Sequence, residues 1–556
     1  MGSLADARRT LVAASVFAAL SGISAASGSN AVVGNVVTVA NCADDGGPGT
    51  LRAAIDGASN GDTIDLSGLA CSVITLQQGA LSSQVENLAL VGPGATALAI
   101  DGNDSGYVLR GGNFQIQGLT IAHGRASASG ACIAAANLSL TDTVVSHCVT
   151  LSAGSAIGGA MLVLGDLTMH NSSVVGSGAA GATYAMGGAA FVVGSANLYD
   201  SVISGNTVQA GEEAYGGGIA ANHGIALHAS TIQGNTAQST SESAYGGGLH
   251  SFTGDISVLD GSLVSDNTAR SEQKFAYGGG INDGMPASAA TTVSIRHSTI
   301  TGNSASSNCG SCFNSGGGVH AFDSIDVAYS TFSYNEATCD DPVSQCVTGG
   351  GGLAAVGTLP TSLIAVRNTT ISGNNAIAGH GAGAFAAGGG IMASAGLRIV
   401  ARNSTIAFNH ADTLGGGIAA TSSTNTPSEL VSTIVADNHS DGGAGDIVAA
   451  FGNALAFEGS HNMVTAEGPG VTLPADTSTD EPLLLPLTTA NGGVTATHAL
   501  AFGSPAIDTG ANPDSFVSDQ RGFPHHRVVG ASADIGAYEF DSDPSIFADG
   551  FDDPSP

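Results

Sequence analysis

His250, Asn282 and His320 occupy one place in a recurring pattern. Each follows the aliphatic residue that closes a three-glycine block: Gly246-Gly247-Gly248-Leu249, Gly278-Gly279-Gly280-Ile281 and Gly316-Gly317-Gly318-Val319. Tyr215, Tyr245 and Tyr277 stand immediately before three such blocks, and Glu212, Glu213, Glu242 and Glu272 lie just ahead of them. Apolar ring faces rimmed by hydrogen-bonding groups are what a sugar-binding surface needs. If the aliphatic residue faces inward, strand alternation turns the next one outward. The expectation is an exposed polar ladder of His250, Asn282 and His320, near Asp283, with the three tyrosines stacked along one edge. At about 4.8 Å per coil, three coils cover roughly 10 Å, which suits two or three sugar units. The competing expectation is drift among duplicated coils that only decorates a solvated face.

Catalysis asks for more. Elimination on an acidic polysaccharide needs a base and neutralisation of the substrate carboxylate by Ca²⁺, Arg or Lys. Arg270, Lys274 and Arg296 are the only dense basic group. Hydrolysis needs two carboxylates about 5 to 9.5 Å apart. Adjacent coils can supply that spacing, and Asp283 with Asp323 is the best pair, although nothing singles it out. No nucleophile elbow supports a Ser-His-Asp set. A non-catalytic role in binding, adhesion or structure, with a carbohydrate as one candidate ligand, is therefore expected over catalysis, with a polysaccharide lyase or glycoside hydrolase as the alternative. No cofactor is required and no metal-ligating set stands out. The acidic loops could hold Ca²⁺, which takes about six to eight oxygens, but no Asp-rich calcium-loop motif is present.

The elements that must position these residues follow from the repeat itself. Further blocks begin at Gly216, Gly350, Gly388 and Gly415, so the first-glycine spacings run 30, 32, 38, 34, 38 and 27. Between blocks come short strands ending in Asn, such as Ser230-Thr231-Ile232-Gln233-Gly234-Asn235 and Ser404-Thr405-Ile406-Ala407-Phe408-Asn409. A fixed period marks a stacked repeat. Short period-2 apolar runs with Gly/Asn/Ser punctuation and no helical periodicity make each unit one coil of a parallel β-helix. The Asn series (Asn206, Asn235, Asn267, Asn303, Asn335, Asn374, Asn409, Asn438) resembles a ligand array. Stacked amides that hydrogen-bond along the ladder explain it better. Eight such coils give a stack on the order of 34 Å.

The composition agrees. The chain has 556 residues, 82 of them Gly, no Trp, and a net charge of −32 with Lys274 as its single lysine. That field repels nucleic acid and anionic membranes. An extracellular polysaccharide or a surface partner remains open. Arg8-Arg9, the apolar run Thr10–Ala19 and Ser24-Ala25-Ala26 read as a secretory signal over residues 1–26. No later segment has the roughly 18 apolar residues of a spanning helix. A secreted or outer-surface location follows, and with it disulfides for Cys42, Cys71, Cys132, Cys148, Cys309, Cys312, Cys339 and Cys346. Cys312 and Cys346 each precede a glycine block by four residues and should stack on adjacent coils. Pairing between coils and pairing inside each loop are both compatible with the spacing.

The expected organisation is an N-terminal cap with first coils (27–110), β-helix repeats (111–455), a C-terminal capping domain (456–540) and an acidic tail (541–556). A solenoid needs caps because its open ends expose unpaired backbone groups. Gly49-Thr50-Leu51-Arg52-Ala53-Ala54-Ile55 reads as a short amphipathic helix in the first of them.

The Thr50–Ile55 segment, the glycine/STIxxN coils and the ending Ser504-Pro505-Ala506-Ile507-Asp508, Asp519-Gln520-Arg521-Gly522, Asp534-Ile535-Gly536-Ala537-Tyr538-Glu539 carry a family resemblance. Together they resemble bacterial exported right-handed β-helix repeat proteins with a choice-of-anchor C-terminal domain. The coils are also similar to polymorphic outer-membrane protein repeats, whose FxxN is matched by Phe332-Ser333-Tyr334-Asn335. The resemblance spans nearly the whole mature chain and implies a pectin-lyase-like architecture and export rather than any one activity. The tail Ile546-Phe547-Ala548-Asp549-Gly550-Phe551 resembles a short ending of other exported proteobacterial proteins. No terminal run of alternating strands of about ten residues points to a membrane barrel.

Overall fold

One coil shows the whole design. Ile225–His228, Thr231–Gln233, Thr236–Ser239, Ala244–Tyr245 and Leu249–Ser251 are five short strands, and Ile256–Leu259 opens the next turn directly over the first. Three of the five end where a corner residue takes a left-handed backbone: Ala229 (φ 47°) after His228, Gly234 (φ 64°) before Asn235 and Gly246 (φ 64°) before the sharp turn into Leu249. A side chain on Gly247 would meet the carbonyl oxygen of Gly279 at 2.3 Å, so the glycine block lets adjacent coils close on one another.

The computed structural model describes residues 34–541 apart from 286–289, 310–311, 340–345, 358, 360, 380–382, 422–426, 444 and 451–453. The expected signal peptide (1–26) and all but the first residue of the expected tail lie outside the described residues. Repetition of the coil yields five stacked sheets of 16, 14, 13, 11 and 8 strands. Coil-to-coil pairing is parallel and in register, as in Ile219↔Leu249, Ala220↔His250 and Ala221↔Ser251. The chain is a right-handed parallel β-helix, all-β as the repeat predicts.

The lumen is filled by inward aliphatics such as Ile219, Ile232, Leu249, Ile281 and Ile300, none of them exposed. Burying each relative to water is worth roughly 1.5–3 kcal/mol. Beside them runs the asparagine ladder. Asn206 Nδ2 donates to Asn235 Oδ1 at 3.0 Å, and the same link repeats through Asn267, Asn303, Asn335, Asn374 and Asn409 to Asn438. It ends on Asp446, whose Oδ1 accepts from Asn438 Nδ2 at 2.9 Å. The array is structural, as expected.

At the N-terminal end, Leu51–Asp56 is the expected helix, with Thr50 capping it and Leu51 and Ile55 buried. Arg52 ties it to Asp44 and to the carbonyls of Gly79 and Ala80. Beyond the last coils, residues 482–540 lie along the flank of the fourteen-stranded sheet. Thr331 Oγ1 donates to Ala496 O, Thr370 Oγ1 to Gln520 Oε1, and Asn403 Nδ2 to Ala511 O. This segment is pinned by the fully buried pair Arg527–Glu539 at 3.0 Å. All eight cysteines are bridged, as Cys42–Cys71, Cys132–Cys148, Cys309–Cys312 and Cys339–Cys346. Cys312 and Cys346 do stack on adjacent coils, with Val347 N donating to Cys312 O. No described helix is long and apolar enough to cross a membrane.

Candidate functional site

The ladder singled out in the sequence forms, but it is not on the surface. His250↔Asn282 and Asn282↔His320 are register partners. Asn282 Nδ2 donates to His250 Nδ1 at 3.0 Å and Asn282 Oδ1 accepts from His320 Nδ1 at 3.0 Å. All three side chains are 0% exposed, which corrects the expectation of an outward-facing ladder. Alternation does turn them away from the lumen. It turns them into the concave crease between the thirteen- and eight-stranded sheets, which the tyrosine column roofs over. Tyr215 and Tyr245 stack at 5.0 Å and are themselves buried, Tyr245 and Tyr277 stack at 5.4 Å, and Tyr277 is half-buried. Elsewhere the column is apolar: Leu162, Phe191, Ala220, Ala354, Met392 and Val448 are buried at the same register.

Burial sets the chemistry of this crease. Loss of water pushes the His250 and His320 imidazoles down to about 3, so both are neutral at neutral pH. The asparagine amide therefore fixes opposite tautomers, with the proton on Nε2 in His250 and on Nδ1 in His320. Neither Nε2 has a partner among the described residues. Asp283, also fully buried, is raised to about 7, mainly by burial, with the charges of Asp255 and Asp323 adding to it. Asp323 is 5% exposed and accepts from Ser362 Oγ. The two carboxylates considered for hydrolysis are thus neighbours electrostatically and closed to solvent. The tyrosine hydroxyls follow suit: Tyr215 Oη donates to buried Glu213 at 2.6 Å, and burial raises Tyr277. Glu212 and Glu242 are half-buried and Glu272 is exposed. The basic group does not converge. Arg296 is bound to Asp326 on the sixteen-stranded sheet, while Arg270 is in the eleven-stranded sheet.

A water-accessible concavity lies on the eleven-stranded sheet, at residues the sequence reading passed over. In register along its outer face stand Leu151, Ala180, Gln209 and Gln238. The coil Gly178–Gly181 carries only glycine and alanine. It drops below its neighbours and leaves a groove of about 570 Å³. Leu151, 39% exposed, forms one wall; Gln209 and Gln238 form the other, and Ser152 and Thr240 add hydroxyls. Among the described residues no charged side chain lines it. A signal for it exists in the sequence. Both glutamines stand three residues after a ladder asparagine, Asn206 and Asn235, as Arg270 does after Asn267. Comparison with known proteins finds no matching family model and no matching curated protein.

Proposed function

We propose that this is an exported or cell-surface β-helix protein that binds an extracellular carbohydrate chain along its flank without transforming it. The observation that carries the reading is the groove between Leu151 and Gln209. Its floor is one coil of Gly and Ala, so its walls stand about 9.6 Å apart, two strand spacings. That gap fits the thickness of a sugar ring. An apolar wall meets the C–H face of a pyranose, while amides and hydroxyls meet its hydroxyl groups. A neutral lining on a chain of net charge −32 favours a neutral glycan over a polyanion. The resemblance of the coils and of the ending to exported choice-of-anchor proteins supports the location.

A second reading, hydrolysis by Asp283 and Asp323, has one observation behind it. An acid raised to about 7 beside a second carboxylate is how glycosidases divide acid and base roles. Against it stands the burial of both groups among the described residues. The test is a panel of neutral and acidic polysaccharides, with and without Ca²⁺, assayed for retention and for new reducing ends or unsaturated products. Binding of a neutral glycan without product supports the first reading. Turnover of any member supports the second.

A further inference from the structure

Two successive coils repeat a four-residue motif, Asn409-His410-Ala411-Asp412 and Asn438-His439-Ser440-Asp441. The asparagines belong to the buried ladder, and Ala411 and Ser440 are buried beside them. Alternation therefore turns His410, Asp412, His439 and Asp441 to the outer face. Parallel pairing sets His410 over His439. Their rings stack with centroids 5.5 Å apart and planes 12° apart. His439 and Asp441 are exposed, and His410 and Asp412 are half-buried.

The donors converge rather than merely adjoin. Asp441 Oδ1 lies 3.2 Å from His439 Nε2 and 3.7 Å from His410 Nε2. Bonds of about 2.0–2.1 Å to a tetrahedral zinc put neighbouring ligand atoms about 3.4 Å apart. The three donor atoms all fall within 4.8 Å of one another, so a small side-chain movement completes the geometry. Behind His410, Nδ1 faces Asp412 Oδ1 at 3.9 Å. The other oxygen of Asp412 is anchored by the backbone N–H of Ala378 at 3.0 Å. At 3.9 Å the approach of Asp412 to His410 is a near contact rather than a hydrogen bond; closing it would let the carboxylate fix the imidazole tautomer and aim the other nitrogen at a metal. A simple surface ion pair would need neither this backing nor two Nε2 atoms on one oxygen.

We infer that His410, His439 and Asp441 bind a divalent, borderline-soft metal ion, Zn²⁺ being the type case, with Asp412 as a positioning residue. Two imidazoles with one carboxylate suit zinc, copper or nickel. They do not suit Ca²⁺, which wants an oxygen shell. Three protein donors leave the fourth position to water, and the −32 charge of the chain draws cations to its surface.

Calorimetric titration of the mature chain with Zn²⁺ tests this. One equivalent binds to the wild type and is lost in His410→Ala/His439→Ala. It survives in His123→Ala/His147→Ala, which removes another adjacent pair of histidine rings. Asp412→Asn weakens binding by about 10-fold, and Ca²⁺ gives no competing heat. Electron paramagnetic resonance of the Cu²⁺ form of the wild type should show coupling to two imidazole nitrogens, a readout that needs no substitution. The inference is overturned if the wild type binds no zinc, if the His410/His439 variant keeps its equivalent, or if the copper spectrum lacks two nitrogens.

Discussion

Two columns of side chains run along this solenoid under the same alternation rule and end in opposite environments. One follows the glycine blocks and contains His250, Asn282 and His320, fully buried. The other lies in register on the eleven-stranded sheet, three residues after Cys148, Ser177, Asn206 and Asn235, and contains Leu151, Ala180, Gln209 and Gln238, open to water in a groove. Both point away from the lumen. The difference is the neighbouring sheet: the first column faces a concave crease closed by stacked tyrosines, the second a face with nothing over it. Outward from the lumen is thus not the same as outward to solvent. Polar residues in the crease are held in an interior ladder linked through the Asn282 amide, with both histidine Nε2 atoms left unpartnered among the described residues, whereas those over the groove face solvent.

The largest expected effect is in acid. His250 and His320 stay neutral when folded, down to about 3, but take up protons when unfolded below about 6.5. Stability therefore rises with pH between those values, by about 1.4 kcal/mol per pH unit for each histidine. Asp283 acts in the opposite sense. Held protonated up to about 7 when folded, it contributes stability that is full below pH 3.8 and lost as pH rises through 7. From pH 3.8 to 6.5 the three together give a net gain of about 1.4 kcal/mol per unit. In His250→Leu/Asn282→Leu/His320→Leu only Asp283 remains, and this contribution reverses sign. Urea unfolding of both proteins at pH 4, 5 and 6 measures the difference; parallel curves would mean the crease is wet.

The next effect is the loss of one rung. Asn282→Leu leaves His250 Nδ1 and the Nδ1–H of His320 buried without partners and should cost about 3 kcal/mol at pH 7. The triple leucine variant removes both ends of the network and matches the Leu162, Phe191 and Met392 rungs, so it should recover most of that loss. Equal destabilisation of single and triple variants would show that the bonds within the ladder do not matter.

Much of this was legible in the sequence. The period, the stacked β-helix coil and the structural asparagines follow from Gly blocks and Asn corners, because backbone conformation at a corner is a local property; the division of each coil into five strands does not. The capping helix was visible as Thr50 followed by Leu51 and Ile55. Burial of the His250 column was misread because alternation says only which way a side chain leaves its own strand. The clue was present at the same register: Leu162, Phe191 and Met392 are not residues of a solvated face. The groove depends on a coil of small residues, Gly178–Gly181, lying between larger neighbours across three coils. That is a relation between positions far apart in the chain, and no single motif states it.

The smallest effect on stability belongs to the groove. Gln209→Ala/Gln238→Ala should change it by no more than about 0.5 kcal/mol, since neither side chain is buried. A larger loss in thermal or urea unfolding would place the glutamines in the structural frame with the crease.

Affinity for the best-retained neutral glycan, compared between Gln209→Ala/Gln238→Ala and His320→Gln, tests the account most directly. The groove variant should lose about 10-fold or more, two lost hydrogen bonds at roughly 1 kcal/mol each. The crease variant should bind like the wild type despite its lower stability. Full affinity in the groove variant, with loss in the crease variant, would contradict it.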